Sequence, residues 1–186
     1  MAYDSEATKR RLLDAAIHEF SEYGIMGARV EKIAALAKAN KQAIYMYFGS
    51  KEGLFSAAFE ERIKDFLASV QFDEGDLAAF AGRMFDKFED APDTRRLTLW
   101  YHLERTIANI RVPLIEESTR NQVHAIRAAQ EQGKIPATYD AATLLGLVRS
   151  IALTWHTQVP QLQMTSDVSR DEQRRIVEHT VRTILV

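Results

Sequence analysis

The chain has 186 residues, 46% of them hydrophobic, a formal net charge of −2 and no cysteine. That much apolar material can build the core of one domain, or of a small domain joined to a larger one, and the missing cysteines exclude disulfides and thiolate metal sites. A pI near 6.2 argues against a protein that coats nucleic acid, yet leaves room for a basic footprint on one face.

Nearly every segment reads as helix, so the expected fold class is all-α with about nine helices. Prolines number four, and runs of β-branched residues at strand spacing are absent. The first helix is expected from near Ser5 to Tyr23, on the period of Leu12, Leu13, Ala16, Ile17 and Phe20, with Gly24 as its stop. A second, short helix runs from about Val30 to Lys38 with Val30, Ile33, Leu36 and Ala37 inward. Asn40 is a good N-cap for a third, Lys41 to Phe48, and Ser50 caps a fourth that starts at Lys51 and reaches about Val70. A fifth is expected from Asp76 to Phe88, a sixth from Asp93 to Ile110, and a seventh from Pro113 to Gly133. An eighth runs from about Tyr139 to His156, and a ninth from Ser169 to the C-terminus. Short helices crowd the N-terminal region and long ones fill the rest, which suggests a small reading head, 1–53, and a helical body, 54–186. No stretch has the character of a signal peptide or is long and apolar enough to span a bilayer, so a cytoplasmic location is expected.

The third helix is unusual. At ~100° per residue, Ile44 and Phe48 form its buried seam, Tyr45 and Tyr47 flank that seam, and Gln42, Ala43 and Met46 point away. A surface helix normally shows charge on that outer face. Two short helices joined by a tight turn are the minimal unit for placing a helix in the major groove of DNA. Short or flexible outward side chains let such a helix approach the bases closely. Gln can bond an adenine edge, and Ala or Met can touch a thymine methyl. Tyr45, Tyr47 and Lys41 are placed to reach phosphates, and Lys51 brings a cation to a helix start.

The stretch from Arg11 to Phe59 resembles the N-terminal domain of the TetR family of bacterial transcriptional regulators. The matching residues are Leu13-Asp14-Ala15-Ala16, Phe20, Gly24, Val30, Ile33-Ala34, Ala37, Ile44-Tyr45, Tyr47-Phe48 and Ser50-Lys51-Glu52. The resemblance implies a non-enzymatic repressor that binds a palindromic double-stranded operator as a homodimer and responds to a small-molecule effector, with no cofactor and no membrane partner. Two departures stand out. Lys38 replaces the family's turn glycine, so a differently shaped turn is expected. Ala28-Arg29 replaces its Thr/Ser cap, so Arg29 is expected to contact phosphate by charge. The expected DNA-binding set is Arg29, Lys41, Gln42, Ala43, Tyr45, Met46, Tyr47 and Lys51.

For the effector, the sixth helix offers Trp100, His102, Leu103 and Thr106, with Phe80, Met84, Ile126, Arg127, Leu147, Ile151 and Trp155 as partners; bundle pockets commonly hold such ligands. Packed core explains each of these residues equally well. The five histidines are scattered with no ligand spacing, so no metal is expected. Apolar residues on more than one face of the last two helices suggest a homodimer through them. A helical small-molecule-binding module or enzyme without DNA affinity, and a protein-interaction adaptor, are the alternatives.

Overall fold

The computed structural model describes residues 2–158, 161–162 and 167–186, with side chains from Ser5 onward. Among them are nine helices and no strand: α1 (Ala2–Gly27), α2 (Val30–Leu36), α3 (Lys41–Phe48), α4 (Lys51–Ser69), α5 (Leu77–Asp90), α6 (Pro92–Glu104), α7 (Pro113–Glu131), α8 (Ala141–Thr157) and α9 (Arg170–Ile184). The all-α expectation holds. No helix among the described residues is long and apolar enough to cross a membrane. The residues gather into two compact units, Met1–Phe66 with Ala91–Ile115, and Leu67–Asp90 with Glu116–Val186.

The first unit is built on the period of α1. Leu12, Ala16, Ile17 and Phe20 share one face and are buried, together with Ile33, Ile44, Leu54, Phe55, Phe59 and Leu97. Aromatic contacts run through this core: Phe20 on Phe55 at 5.2 Å, Phe55 on Phe59 at 5.6 Å, and Phe59 on Tyr101 at 5.2 Å between ring centroids. They join α1, α4 and α6. Gly24 breaks the helical path of α1 with φ 69° and ψ −176°, as its sequence position suggested. A Cβ there would stand 2.7 Å from Trp100 Cε3 as well as in a left-handed conformation, so two constraints demand glycine.

Two expectations need correction. Leu36, read as inward, is 54% exposed; at ~100° per residue it lies well away from the seam of Val30, Ile33, Ala34 and Ala37. The sixth helix stops at Glu104 rather than near Ile110. Residues 105–109 continue as turns, Asn109 takes φ 50°, and the Ile110 N–H donates back to the Arg105 carbonyl at 2.9 Å. Asparagine tolerates this left-handed closing position, so the stop signal was present in the sequence.

The second unit packs Leu77, Phe80, Ala81, Met84, Phe85 and Phe88 of α5 with Ile126 and Ala129 of α7, Leu144, Leu145, Val148 and Ala152 of α8, and Val177 and Val181 of α9, all buried. Ion pairs join α5 to α9: Asp86 to Arg174 at 2.7 Å and Asp90 to Arg170 at 2.9 Å.

Candidate nucleic-acid interface

The α2–turn–α3 segment is held by side chains that bond its main chain. At the start of α2, Arg29 has an extended backbone and its side chain makes no cap. The buried Glu19 of α1 takes over, accepting the Arg29 N–H at 3.2 Å. A carboxylate at a helix N-terminus also suits the helix dipole. At the other end of α2 the Lys38 N–H reaches the Ala35 carbonyl at 3.1 Å and the Ala39 N–H the Ala34 carbonyl at 2.9 Å. These are the two bonds of a Schellman motif. Lys38 adopts φ 51°, so the turn keeps the glycine-like shape and the expectation of a different turn fails. The bonds at this turn outweigh a penalty of about 1–2 kcal/mol for a side chain in that region. Arg11 Nε adds a bond to the Ala37 carbonyl at 3.1 Å. The Asn40 side chain then accepts the Gln42 N–H at 2.9 Å and opens α3, as expected.

On α3, Ile44 is fully buried and Gln42, Tyr45 and Met46 are exposed, Met46 by 70% and Tyr45 by 45%. The outer face is therefore open and uncharged. Ala43 is only half exposed, because it packs on the edge of the core with Tyr47 and Phe48. The Tyr47 hydroxyl shares a hydrogen bond with Ser5 Oγ of α1 at 3.0 Å, which fixes its ring as a spacer between α1 and α3. Lys41 pairs with Glu31 of α2, and its ammonium lies 6.0 Å from the Tyr45 ring centroid. The hydrogen bond between them holds the Glu31 carboxyl below, and the Lys41 ammonium above, their ordinary values.

Lys51 donates to the carbonyls of Met26 and Ala28, both at 3.3 Å, so its place at a helix start has an internal explanation that the sequence did not reveal. One ammonium proton remains for another partner. The α3–α4 turn is tight. Ser50 Oγ caps α4 by accepting the Gly53 N–H at 2.9 Å, and a Cβ on Gly53 would stand 2.1 Å from the Phe48 carbonyl oxygen.

Sequence reasoning missed a clamp on the α1–α2 connection. Arg96 Nε donates to the Ser21 carbonyl at 2.6 Å, and Trp100 Nε1 to the same oxygen at 3.2 Å. Glu104 Oε2 accepts the N–H groups of Ile25 at 2.6 Å and Met26 at 3.1 Å. Three α6 residues spaced four apart thus serve the main chain on both sides of Gly24: donors for the carbonyl before it, an acceptor for the amides after it. The signal was a polar i, i+4, i+8 face on α6, of which only Trp100 is singled out from the sequence, as a candidate effector contact.

The expected effector residues divide between the units. Trp100, His102, Leu103 and Thr106 belong to the first; Phe80, Met84, Ile126, Arg127, Leu147, Ile151 and Trp155 to the second. Within the second, Phe80, Met84 and Ile126 are buried, Leu147, Ile151 and Trp155 half-buried, and Arg127 exposed. His102, Leu103 and Thr106 are exposed, Leu103 by 69%. On the last two helices Leu144, Leu145, Val148, Val177 and Val181 are buried within their own unit, and Ile176 is exposed.

Comparison with known proteins identifies the family of the chain. Residues 12–58 match the model of the tetR family of bacterial regulatory proteins, and residues 76–183 match a tetracyclin repressor-like C-terminal domain. The HTH-type transcriptional repressor SCO4008 of Streptomyces coelicolor is 35% identical over 189 residues, covering 99% of this chain and 98% of that protein. The repressor NicS of Pseudomonas putida is 46% identical over 59 residues, 32% of this chain and 28% of its own length. Among solved structures, SCO4942 of Streptomyces coelicolor aligns with a TM-score of 0.80 and 31% identity, over 95% of this chain and 97% of that one. The matched family is one of bacterial regulatory proteins, and the relative aligned along almost its whole length is a transcriptional repressor. With both of its family models matched and a repressor related along almost its whole length, this chain belongs to the TetR family and is a DNA-binding transcriptional regulator.

Proposed function

We propose that the protein is a homodimeric repressor that reads a palindromic operator with α3 and releases or holds it in response to a small molecule. The observation that carries the reading is the outer face of α3: Gln42, Tyr45 and Met46 stand exposed and uncharged on a helix whose start and preceding turn are fixed by hydrogen bonds. Gln42 would bond a base edge and Met46 would touch a thymine methyl. Tyr45, Lys41 and Arg29 would engage phosphates, with Ala43 allowing close approach. Tyr47 and Lys51 would act first by holding α3 and the α1–α2 connection, and Lys51 would offer its remaining proton to the DNA backbone.

Residues 54–186 would carry the effector and the dimer contact. Phe80, Met84, Ile126, Leu147, Ile151 and Trp155 supply apolar surface in one unit for a ligand, with Arg127 as a polar edge. A second copy would pair through α8 and α9, where Ile176 is exposed. Two heads would then meet half-sites about one helical turn, ~34 Å, apart or a multiple of it. Effector binding needs a differential affinity of about 1–3 kcal/mol between two conformations to switch the operator.

The test begins by selecting operator sequences from a random duplex pool with the purified protein. Wild type should enrich a palindrome and bind it with an affinity that falls log-linearly with salt. The triple variant Gln42→Ala, Tyr45→Ala, Met46→Ala should keep its melting temperature and lose the sequence preference. Unchanged preference in that variant would remove the assignment of α3 as the reading element.

A further inference from the structure

Charge is distributed unevenly around α2 and α3. From Arg29 to Lys51 the chain carries the cations Arg29, Lys32, Lys38, Lys41 and Lys51 and a single carboxylate, Glu31. That carboxylate is exposed, and it bonds the lysine that opens α3. Two other cations of the segment have internal partners. Lys32 lies 4.0 Å from Glu19 and over the Tyr23 ring, and Lys51 bonds two carbonyls. Lys41 opens α3 beside its outer face, and Glu31 neutralises it.

We propose that the Glu31–Lys41 ion pair is an electrostatic restraint on DNA binding, which keeps affinity for arbitrary sequence low. The inference rests on α3 being the DNA-facing helix. Lys41 can meet a phosphate only by leaving Glu31. Breaking an exposed pair costs little, typically below about 1 kcal/mol, so the pair does not block binding. The larger effect follows the break, when a bare carboxylate stands beside the phosphate backbone and no counterion is released on its behalf. A correct operator compensates through base contacts, whereas arbitrary DNA offers only phosphates. Raising the cost of the wrong partner is a common source of specificity.

A purely structural role for Glu31 makes a different forecast. It stands in the first turn of α2, where a carboxylate favours the helix dipole. On that account Glu31→Gln lowers the melting temperature slightly and leaves DNA binding unchanged.

The experiment measures anisotropy of a short mixed-sequence duplex, which needs no knowledge of the operator, from ~50 to ~200 mM KCl. Four proteins are compared: wild type, Glu31→Gln, Lys41→Gln and the double variant, each checked for an intact thermal transition. Glu31→Gln should bind roughly 3–10-fold tighter at the lowest salt, with a slope of log affinity against log salt steeper by about 0.9 per head. Lys41→Gln should cost more in the Glu31→Gln background than in wild type, because only there is the ammonium unneutralised. Equal or weaker binding by Glu31→Gln at an unchanged slope overturns the proposal while leaving α3 as the reading element. Absence of duplex binding by wild type at every salt would instead overturn the DNA-facing assignment itself, and this proposal with it.

Discussion

The two units are held by different polar contacts at two places, the backbone around Gly24 and α2 in the first and the α5–α9 seam in the second. In the first, Arg11, Glu19, Asn40, Lys51, Arg96, Trp100 and Glu104 all bond main-chain groups. In the second, α5 and α9 are joined by charges that bond each other, Asp86 with Arg174 and Asp90 with Arg170, and within α9 Glu178 bonds both Arg174 and Arg182. A side chain bonded to a carbonyl or amide fixes the direction of the backbone, and losing it strands a polar group. Long flexible side chains bonded to one another at the surface contribute little and re-form easily. On the proposed function the contrast suits two roles: a helix presenting side chains to base edges would need a fixed backbone, while a region accommodating a ligand would tolerate repacking.

Substitutions can break or sharpen this contrast. Gly53→Ala should do the most damage. The new methyl would stand 2.1 Å from the Phe48 carbonyl, a clash with main chain at a tight turn, and a loss of about 3 kcal/mol is expected in urea denaturation. Glu104→Ala removes the acceptor for two amides and should cost about 2–3 kcal/mol. Operator affinity should fall with it, although Glu104 lies outside the expected DNA-binding set. If stability drops and affinity does not, the clamp on the α1–α2 connection has no bearing on presentation of α3. Lys38→Gly relieves a side chain at φ 51° and should raise stability by roughly 0.5–1 kcal/mol, seen as a higher midpoint with unchanged slope. Asp86→Ala should cost only about 0.2–0.5 kcal/mol, and less at high salt, although its bond to Arg174 is 2.7 Å long. A loss as large as that of Glu104→Ala would show that the two units are built alike after all.

The residues differ in how legible they were. Asn40, Ser50 and Gly24 act within a few positions of themselves, through capping and backbone conformation, and each was readable from the sequence. Ile44 and Phe20 follow from the helical period. Lys38 is not legible in this way, because its local cost says nothing of the bonds that stabilise the turn. The bonds of Lys51 were not legible, because the carbonyls of Met26 and Ala28 are distant in sequence and adjacent only in space. Tyr47 shows the same limit, since its partner Ser5 lies 42 positions away.

From the sequence alone came the all-helical class, the order of the helices, the short pair that carries α3, and the uncharged character of its outer face, because each depends on period, punctuation and side-chain type. Tertiary structure alone decided that Arg96, Trp100 and Glu104 hold the chain around Gly24, that Glu19 stands in for a missing helix cap, and that Glu31 meets Lys41. Those pairings join residues from different elements, and no local preference encodes which distant main-chain group or charge a side chain will meet once the core has closed.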